Sequence, residues 1–182
     1  MESEENHLCY VPEFITVEEE IELQKFLEAH PWRTEKKRRM QTYGYRYLKG
    51  EHDVALHKVE IIEGPIRRLL DKIQDHFGIV LNQCTVNEYE PGQGIDAHYD
   101  HKERFGGDIV GVSLGSGCTI IFESNELRSI VPLYLHPRSM YKMSGPFRYD
   151  YTHRIKGVMA DTVDDNILPR STRISLTFRH CQ

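Results

Sequence analysis

Apolar residues recur at helical spacing twice near the start of the chain and then switch to short alternating runs. Leu23, Phe26 and Leu27 follow Thr16-Val17-Glu18-Glu19, which has the pattern of a capping box, and Pro31 ends the run. The spacing predicts a helix over residues 17 to 29. A second helix is predicted from about Pro65, carrying Ile66, Leu69, Leu70, Ile73 and Phe77 at steps of three and four and closing at Gly78. Beyond residue 79 the period becomes two. Cys84 to Tyr89, Ile109 to Leu114, Thr119 to Glu123, Ser139 to Met143 and Arg173 to Arg179 read as strands separated by Gly, Pro, Asn and Asp. The pattern predicts a mostly β (α+β) chain: a sandwich or jelly roll with two N-terminal helices packed on one sheet.

Composition narrows this picture. With 182 residues, 39% of them hydrophobic, the chain has the size of one domain with a sizeable core. No apolar run approaches a membrane span, and the acidic start Met1-Glu2-Ser3-Glu4-Glu5 lacks the features of a signal peptide, so no membrane and a cytoplasmic or nuclear location are expected. Cys9, Cys84, Cys118 and Cys181 are scattered, which points neither to a disulfide framework nor to a cysteine zinc site. A net charge of -5 argues against a general nucleic-acid coating protein. The stretch 36 to 49 departs from that average: Lys36, Lys37, Arg38, Arg39, Arg46 and Lys49 accompany Tyr43, Tyr45 and Tyr47 at alternate positions. A solvated charge run followed by an edge strand, with its tyrosines on the core, is the plainer account of the same residues.

His98-Tyr99-Asp100-His101 follows the loop-forming Pro91-Gly92-Gln93-Gly94. In an extended chain His98 and Asp100 point to one side and Tyr99 and His101 to the other. An imidazole and a carboxylate on one face can chelate a divalent metal, and a further histidine would complete the facial triad of non-haem Fe(II) oxygenases. His153, 53 residues after Asp100 in the alternating Tyr149-Asp150-Tyr151-Thr152-His153, is the candidate. A zinc hydrolase using His98, Asp100 and His101 is the other metal chemistry open to these residues. Further on, Arg173, Ser175, Thr177 and Arg179 share one face of a strand and Ile174, Leu176 and Phe178 the other. Turned into a barrel, the polar face offers Arg173 to a carboxylate, with Ser175 and Arg179 completing an anion pocket. Asn87 and Tyr89, two apart, add an amide and a phenol to the same cavity.

Together, "NEYEPGQGIDAHYD", a histidine about fifty residues on and "RISLTFR" resemble, in order and spacing, the AlkB family of Fe(II)/2-oxoglutarate dioxygenases over roughly residues 80 to 180. The resemblance implies a double-stranded β-helix, with 1–182 as a single domain: helices and nucleotide-recognition loops over 1–78, and the catalytic part over 79–182. It implies iron on His98, Asp100 and His153, and 2-oxoglutarate anchored by Arg173 with Asn87, Tyr89, Ser175 and Arg179 in support. The cofactors implied are Fe(II), 2-oxoglutarate as co-substrate and O2. The reaction implied is oxidative decarboxylation of 2-oxoglutarate coupled to hydroxylation of a C–H bond; on an N-methyl group the product loses formaldehyde.

"RRMQTYGYRY", "VPEFITVEEE" and "SLGS" are similar to the branch that hydroxylates a modified wobble uridine of transfer RNA. In this reading Tyr43, Tyr45 and Tyr47 stack unpaired bases, while Lys36, Lys37, Arg38, Arg39 and Arg46 meet phosphates. That branch joins the module to RNA-recognition and methyltransferase domains, which do not fit in these residues, so a separate methyltransferase partner or a different target is implied. Arg154 stands where the family often has glycine, and some alkyl-repair members also carry arginine there. Oxidative demethylation of N-alkylated bases in DNA or RNA is therefore the second expectation, and a protein-directed hydroxylase the third.

Overall fold

The Thr16 capping box forms: its Oγ1 accepts from the Glu19 amide at 3.2 Å while Glu19 accepts from the Thr16 amide at 2.8 Å. Helix α1 follows over Val17–Glu28. Helix α2, Gly64–Phe77, closes on Gly78 at φ 66, a left-handed cap whose amide donates to the Gln74 carbonyl at 2.8 Å. Both helices therefore begin and end within a residue or two of the positions that capping and periodicity predict.

These features come from a computed structural model in which residues 7–35, 37–49 and 54–182 are described. The strands are β1 (Leu8–Val11), β2 (Arg33–Glu35), β3 (Arg38–Tyr43), β4 (Tyr45–Lys49), β5 (Val54–Lys58), β6 (Gln83–Tyr89), β7 (Ile95–His98), β8 (Phe105–Gly115), β9 (Cys118–Ser124), β10 (Ser129–Leu135) and β11 (Met140–Met143). After the short helix α3 (Gly145–Tyr149) come β12 (Thr152–Ile155), β13 (Ala160–Val163), β14 (Asn166–Pro169) and β15 (Arg173–Cys181). The chain is mostly β. No helix among the described residues is long and apolar enough to cross a membrane.

Seven strands form an antiparallel sheet in the order β1-β11-β8-β15-β6-β3-β2, and four form a second in the order β10-β9-β12-β7. Ile174, Leu176 and Phe178 of β15 join Cys84, Val86, Val110, Val112 and Leu114 against Leu23, Leu27, Ile66, Leu69, Leu70 and Ile73, so both helices cover one face of the large sheet. The opposite face meets the small sheet through Ile109, Tyr141 and Met143 packed on Cys118, Ile120, Phe122, Leu135 and Ile155. Gly111 permits this packing, because a Cβ there would lie 2.2 Å from the Tyr141 ring.

Cross-strand register brings the polar set together. Arg173 is paired with Tyr89, Ser175 with Asn87, Thr177 with Thr85 and Arg179 with Gln83, and Met40 and Thr42 of β3 extend that face opposite Asn87 and Thr85. Among the described residues before 79, five strands join the two expected helices; β3 pairs with β6, which turns much of the basic run into sheet.

Candidate active site

β7 and β12 lie side by side with His98 opposite His153, and their ring centroids are 4.3 Å apart. Asp100 comes two residues after β7 has ended, so an irregular stretch of backbone, and not the strand pleat expected from the sequence, delivers it beside the imidazoles. One ligand atom from each of His98, Asp100 and His153 can be chosen so that all lie within 4.8 Å of one another, and this is the one such metal-capable group among the described residues. The His98 Nδ1 is 2.8 Å from the Asp96 carbonyl; a carbonyl only accepts, so Nδ1 carries the proton and Nε2 keeps its lone pair. His101 is exposed, and its Nδ1 accepts from the Glu103 amide at 3.3 Å.

Burial alone would raise the Asp100 carboxyl, but Arg179, His153 and His98 outweigh it and bring the pKa down to about 2. Burial pushes His153 down to about 4 against the pull of Asp100. At neutral pH the group is therefore two imidazoles, His153 uncharged, and one carboxylate, a donor set suited to a divalent first-row cation. Between about pH 6.5 and 4 the unfolded chain holds a proton on His153 that the fold refuses, so stability falls as pH falls through that window. The contribution of Asp100 persists there and is lost only as pH drops below about 4 towards 2. Urea midpoints of the metal-free protein are accordingly expected to decline from about pH 7 to 4.5, with a smaller decline in His153→Gln.

Two arginines support Asp100. Arg179, expected in the co-substrate pocket, donates from Nε and Nη2 to the two carboxylate oxygens of Asp100, each at 3.1 Å. Arg148 on α3 was not singled out in the sequence. Only 1% exposed, it donates to the carbonyls of Asp100 at 2.9 Å, His101 at 3.0 Å, Gly106 at 3.2 Å and Phe105 at 3.3 Å, and so pins the loop that carries Asp100.

At the other end of β15, Arg173 is 4% exposed and donates from Nη2 to Ser113 Oγ at 2.8 Å, while its Nε and Nη1 are buried without a partner. Buried unpaired donors are costly, and a carboxylate oxygen is the acceptor that suits a guanidinium. Tyr89, Cys118, Ile155 and Ser171 line the space beside it. Ser175 is buried and Asn87 half-buried on the same face. The rim is locked by a second pair missed in the sequence: Arg170 donates to Asp161 at 2.6 and 2.9 Å and to the Lys156 carbonyl at 2.7 Å. The Pro91–Gly94 turn packs so closely on the end of β12 that a Cβ at Gly94 would sit 2.2 Å from the Ile155 carbonyl oxygen.

The expected nucleic-acid residues divide by strand parity. Arg39 faces the helices, paired with Glu88 and Glu28 and stacked 4.6 Å over Trp32, which corrects its assignment to a phosphate. Tyr43 is 2% exposed and donates to Gln41 at 2.8 Å, which corrects its base-stacking role: it is core. Arg38 alternates to the other side, where its Nη1 donates to the Gly94 carbonyl at 3.0 Å. Lys37 is exposed, and Tyr45 and Arg46 are half-buried. Lys36 and the side chain of Tyr47 lie outside the described residues. Arg154 pairs with Glu123 at 3.4 Å. A cavity of about 260 Å³ opens between Met40, Thr42, Arg46, Gln83, Thr85 and His101.

A family model described as the 2OG-Fe(II) oxygenase superfamily matches residues 7–179. The chain is 32% identical over 184 residues to Uncharacterized protein L905 of Acanthamoeba polyphaga mimivirus, covering 96% of this chain and 85% of that one. It is 33% identical to the Alkylated DNA repair protein ALKBH8 homolog of Arabidopsis thaliana and 31% identical to the tRNA (carboxymethyluridine(34)-5-O)-methyltransferase alkbh8 of Xenopus tropicalis, covering 94% of this chain in each case. It spans 57% and 31% of those two proteins. The solved structure of OsALKBH1 superposes with a TM-score of 0.73 over 96% of both chains at 13% identity, a likeness of fold. The cofactors of such enzymes are Fe(II), 2-oxoglutarate and O2, which agrees with the donor set and with the two buried, unpaired donors of Arg173 described above. The chain therefore belongs to the 2OG-Fe(II) oxygenase superfamily, as a dioxygenase with AlkB-family relatives.

Proposed function

We propose that the chain hydroxylates a modified wobble uridine of transfer RNA, on a double-stranded β-helix in which His98, Asp100 and His153 hold iron. Arg173 holds the distal carboxylate of 2-oxoglutarate, with Asn87, Tyr89 and Ser175 around it. When bound, iron and 2-oxoglutarate supply dioxygen activation, coupling decarboxylation of the co-substrate to hydroxylation of a C–H bond. The chain's own residues do the placing. Arg179 keeps Asp100 ionised and oriented, the Asp96 carbonyl fixes the His98 ring, and Arg173 and Tyr89 set the depth at which a dicarboxylate stops.

The observation that carries the choice of substrate is the cavity of about 260 Å³ beside the metal-capable group. Gln83 connects it to Arg179, and His101 directly follows Asp100. Amide and hydroxyl groups of Gln83, Thr42 and Thr85 suit the polar edge of a single extruded base, and Arg46 and Lys37 suit the flanking phosphates. The name of the Xenopus relative supports a tRNA uridine as that base and a methyltransferase acting on it. The location that goes with this reading is the cytoplasm, the nucleus or both.

Nucleoside mass spectrometry of transfer RNA from cells lacking the protein tests the reading. Loss of a hydroxylated wobble uridine and accumulation of its unhydroxylated precursor is the expected result. Unchanged wobble uridines with accumulated N-methyl bases would point to oxidative demethylation, and unchanged RNA to a protein substrate.

A further inference from the structure

Arg38, expected on a phosphate, lies against Tyr89, which lines the pocket beside Arg173. Its guanidinium carbon is 5.0 Å from the centre of the Tyr89 ring, and that of Arg173 is 5.7 Å from the same centre. Tyr89 is 8% exposed and shares its pocket with Arg173 and Cys118. Arg38 Nη1 is meanwhile spent on the Gly94 carbonyl, and one residue earlier the Lys37 carbonyl accepts from Gln93 Nε2 at 2.7 Å. The start of β3 is thus bonded twice to the turn that leads into β7, with one cation laid over the tyrosine.

We infer that Arg38 is a positioning residue for the co-substrate, holding Tyr89 and adding a second positive charge to the end of the pocket that takes the distal carboxylate. The inference rests on the assignment of that pocket to 2-oxoglutarate. The charges around it leave a place for an anion. Arg170 is neutralised by Asp161, and Glu90 stands at the rim accepting from Thr172, while Arg173 in the pocket and Arg38 beside it both lie against Tyr89. Arg38 is half-buried, and a guanidinium held over an aromatic face away from bulk water is screened less than one in solution. It therefore acts on a carboxylate that it need not touch.

The test separates charge from tethering. Arg38→Gln removes the cation, its amide ending two bonds short of Nη1; Arg38→Lys retains the cation and a donor, and the Mn(II) titration reports any loss of the tether to the Gly94 turn. 2-Oxoglutarate is titrated calorimetrically into the full chain loaded with Mn(II), which supports binding without turnover, and Mn(II) is titrated separately. Arg38→Gln is expected to bind 2-oxoglutarate about tenfold more weakly with Mn(II) affinity unchanged within about twofold, and Arg38→Lys to stay within about threefold of the native chain. Native-like 2-oxoglutarate affinity in Arg38→Gln, or parallel loss of Mn(II) affinity, overturns the inference. Failure of the native Mn(II)-loaded chain to bind 2-oxoglutarate would instead bring down the assignment on which it rests.

Discussion

Asp100→Ala is expected to lower succinate formation from 2-oxoglutarate by at least about a thousandfold, while His101→Ala keeps most of it. The carboxylate is the one anion in the donor set, and both of its oxygens also receive Arg179. Its removal leaves two imidazoles facing a guanidinium whose side chain is only 13% exposed, a cationic pocket that repels a divalent metal and buries an unpaired charge. Losing an outer partner of a metal ligand typically costs about 10–100-fold, and losing the ligand itself costs more. Asp100→Asn refines the result: it preserves shape and loses charge, so a loss as deep as that of alanine assigns the effect to electrostatics. Equal and complete loss in His101→Ala and Asp100→Ala would sink the ligand assignment.

Arg148→Met is expected to be the most destabilising single change near the site, by about 3–5 kcal/mol. Four carbonyls take their hydrogen bonds from this one buried side chain. An unpaired buried acceptor costs about 1–3 kcal/mol, and the loop can turn some of the four towards water, so the sum is only partly realised. Chemical denaturation should show the midpoint falling at unchanged slope, and metal affinity should fall with it because the same loop carries Asp100. A variant whose stability stays within about 1 kcal/mol of the native chain would mean that the loop holds Asp100 without Arg148.

The parts that were legible in the sequence are those governed by local periodicity. Both helices announce themselves through caps and three-four spacing, and β15 through seven residues without a break in alternation. His98 and His153 were legible because each sits on a strand and the strands pair. What was not legible depends on contacts between distant segments. Asp100 reaches the site past the end of β7 and is held by Arg179, 79 residues away. Arg148 and the Arg170–Asp161 pair belong to stretches with no pattern of their own, where only the folded loop shows which carbonyls or acids are near. The basic run misled because a cluster of cations looks like a surface until strand parity is known. Pairing of β3 with β6 then sends Arg39 and Tyr43 to the helices and Arg38 to the chamber.

β15 serves two masters at once, feeding Leu176 and Phe178 to the helices while presenting Arg173 and Arg179 to the chamber. Deleting or inserting one residue between those arginines would flip one end of the strand relative to the other, forcing a guanidinium into hydrocarbon or a phenyl ring towards the polar chamber. Length in this segment is therefore as constrained as residue identity, and insertions would be tolerated far better at the Asp164-Asp165 tip between β13 and β14, where both residues are exposed.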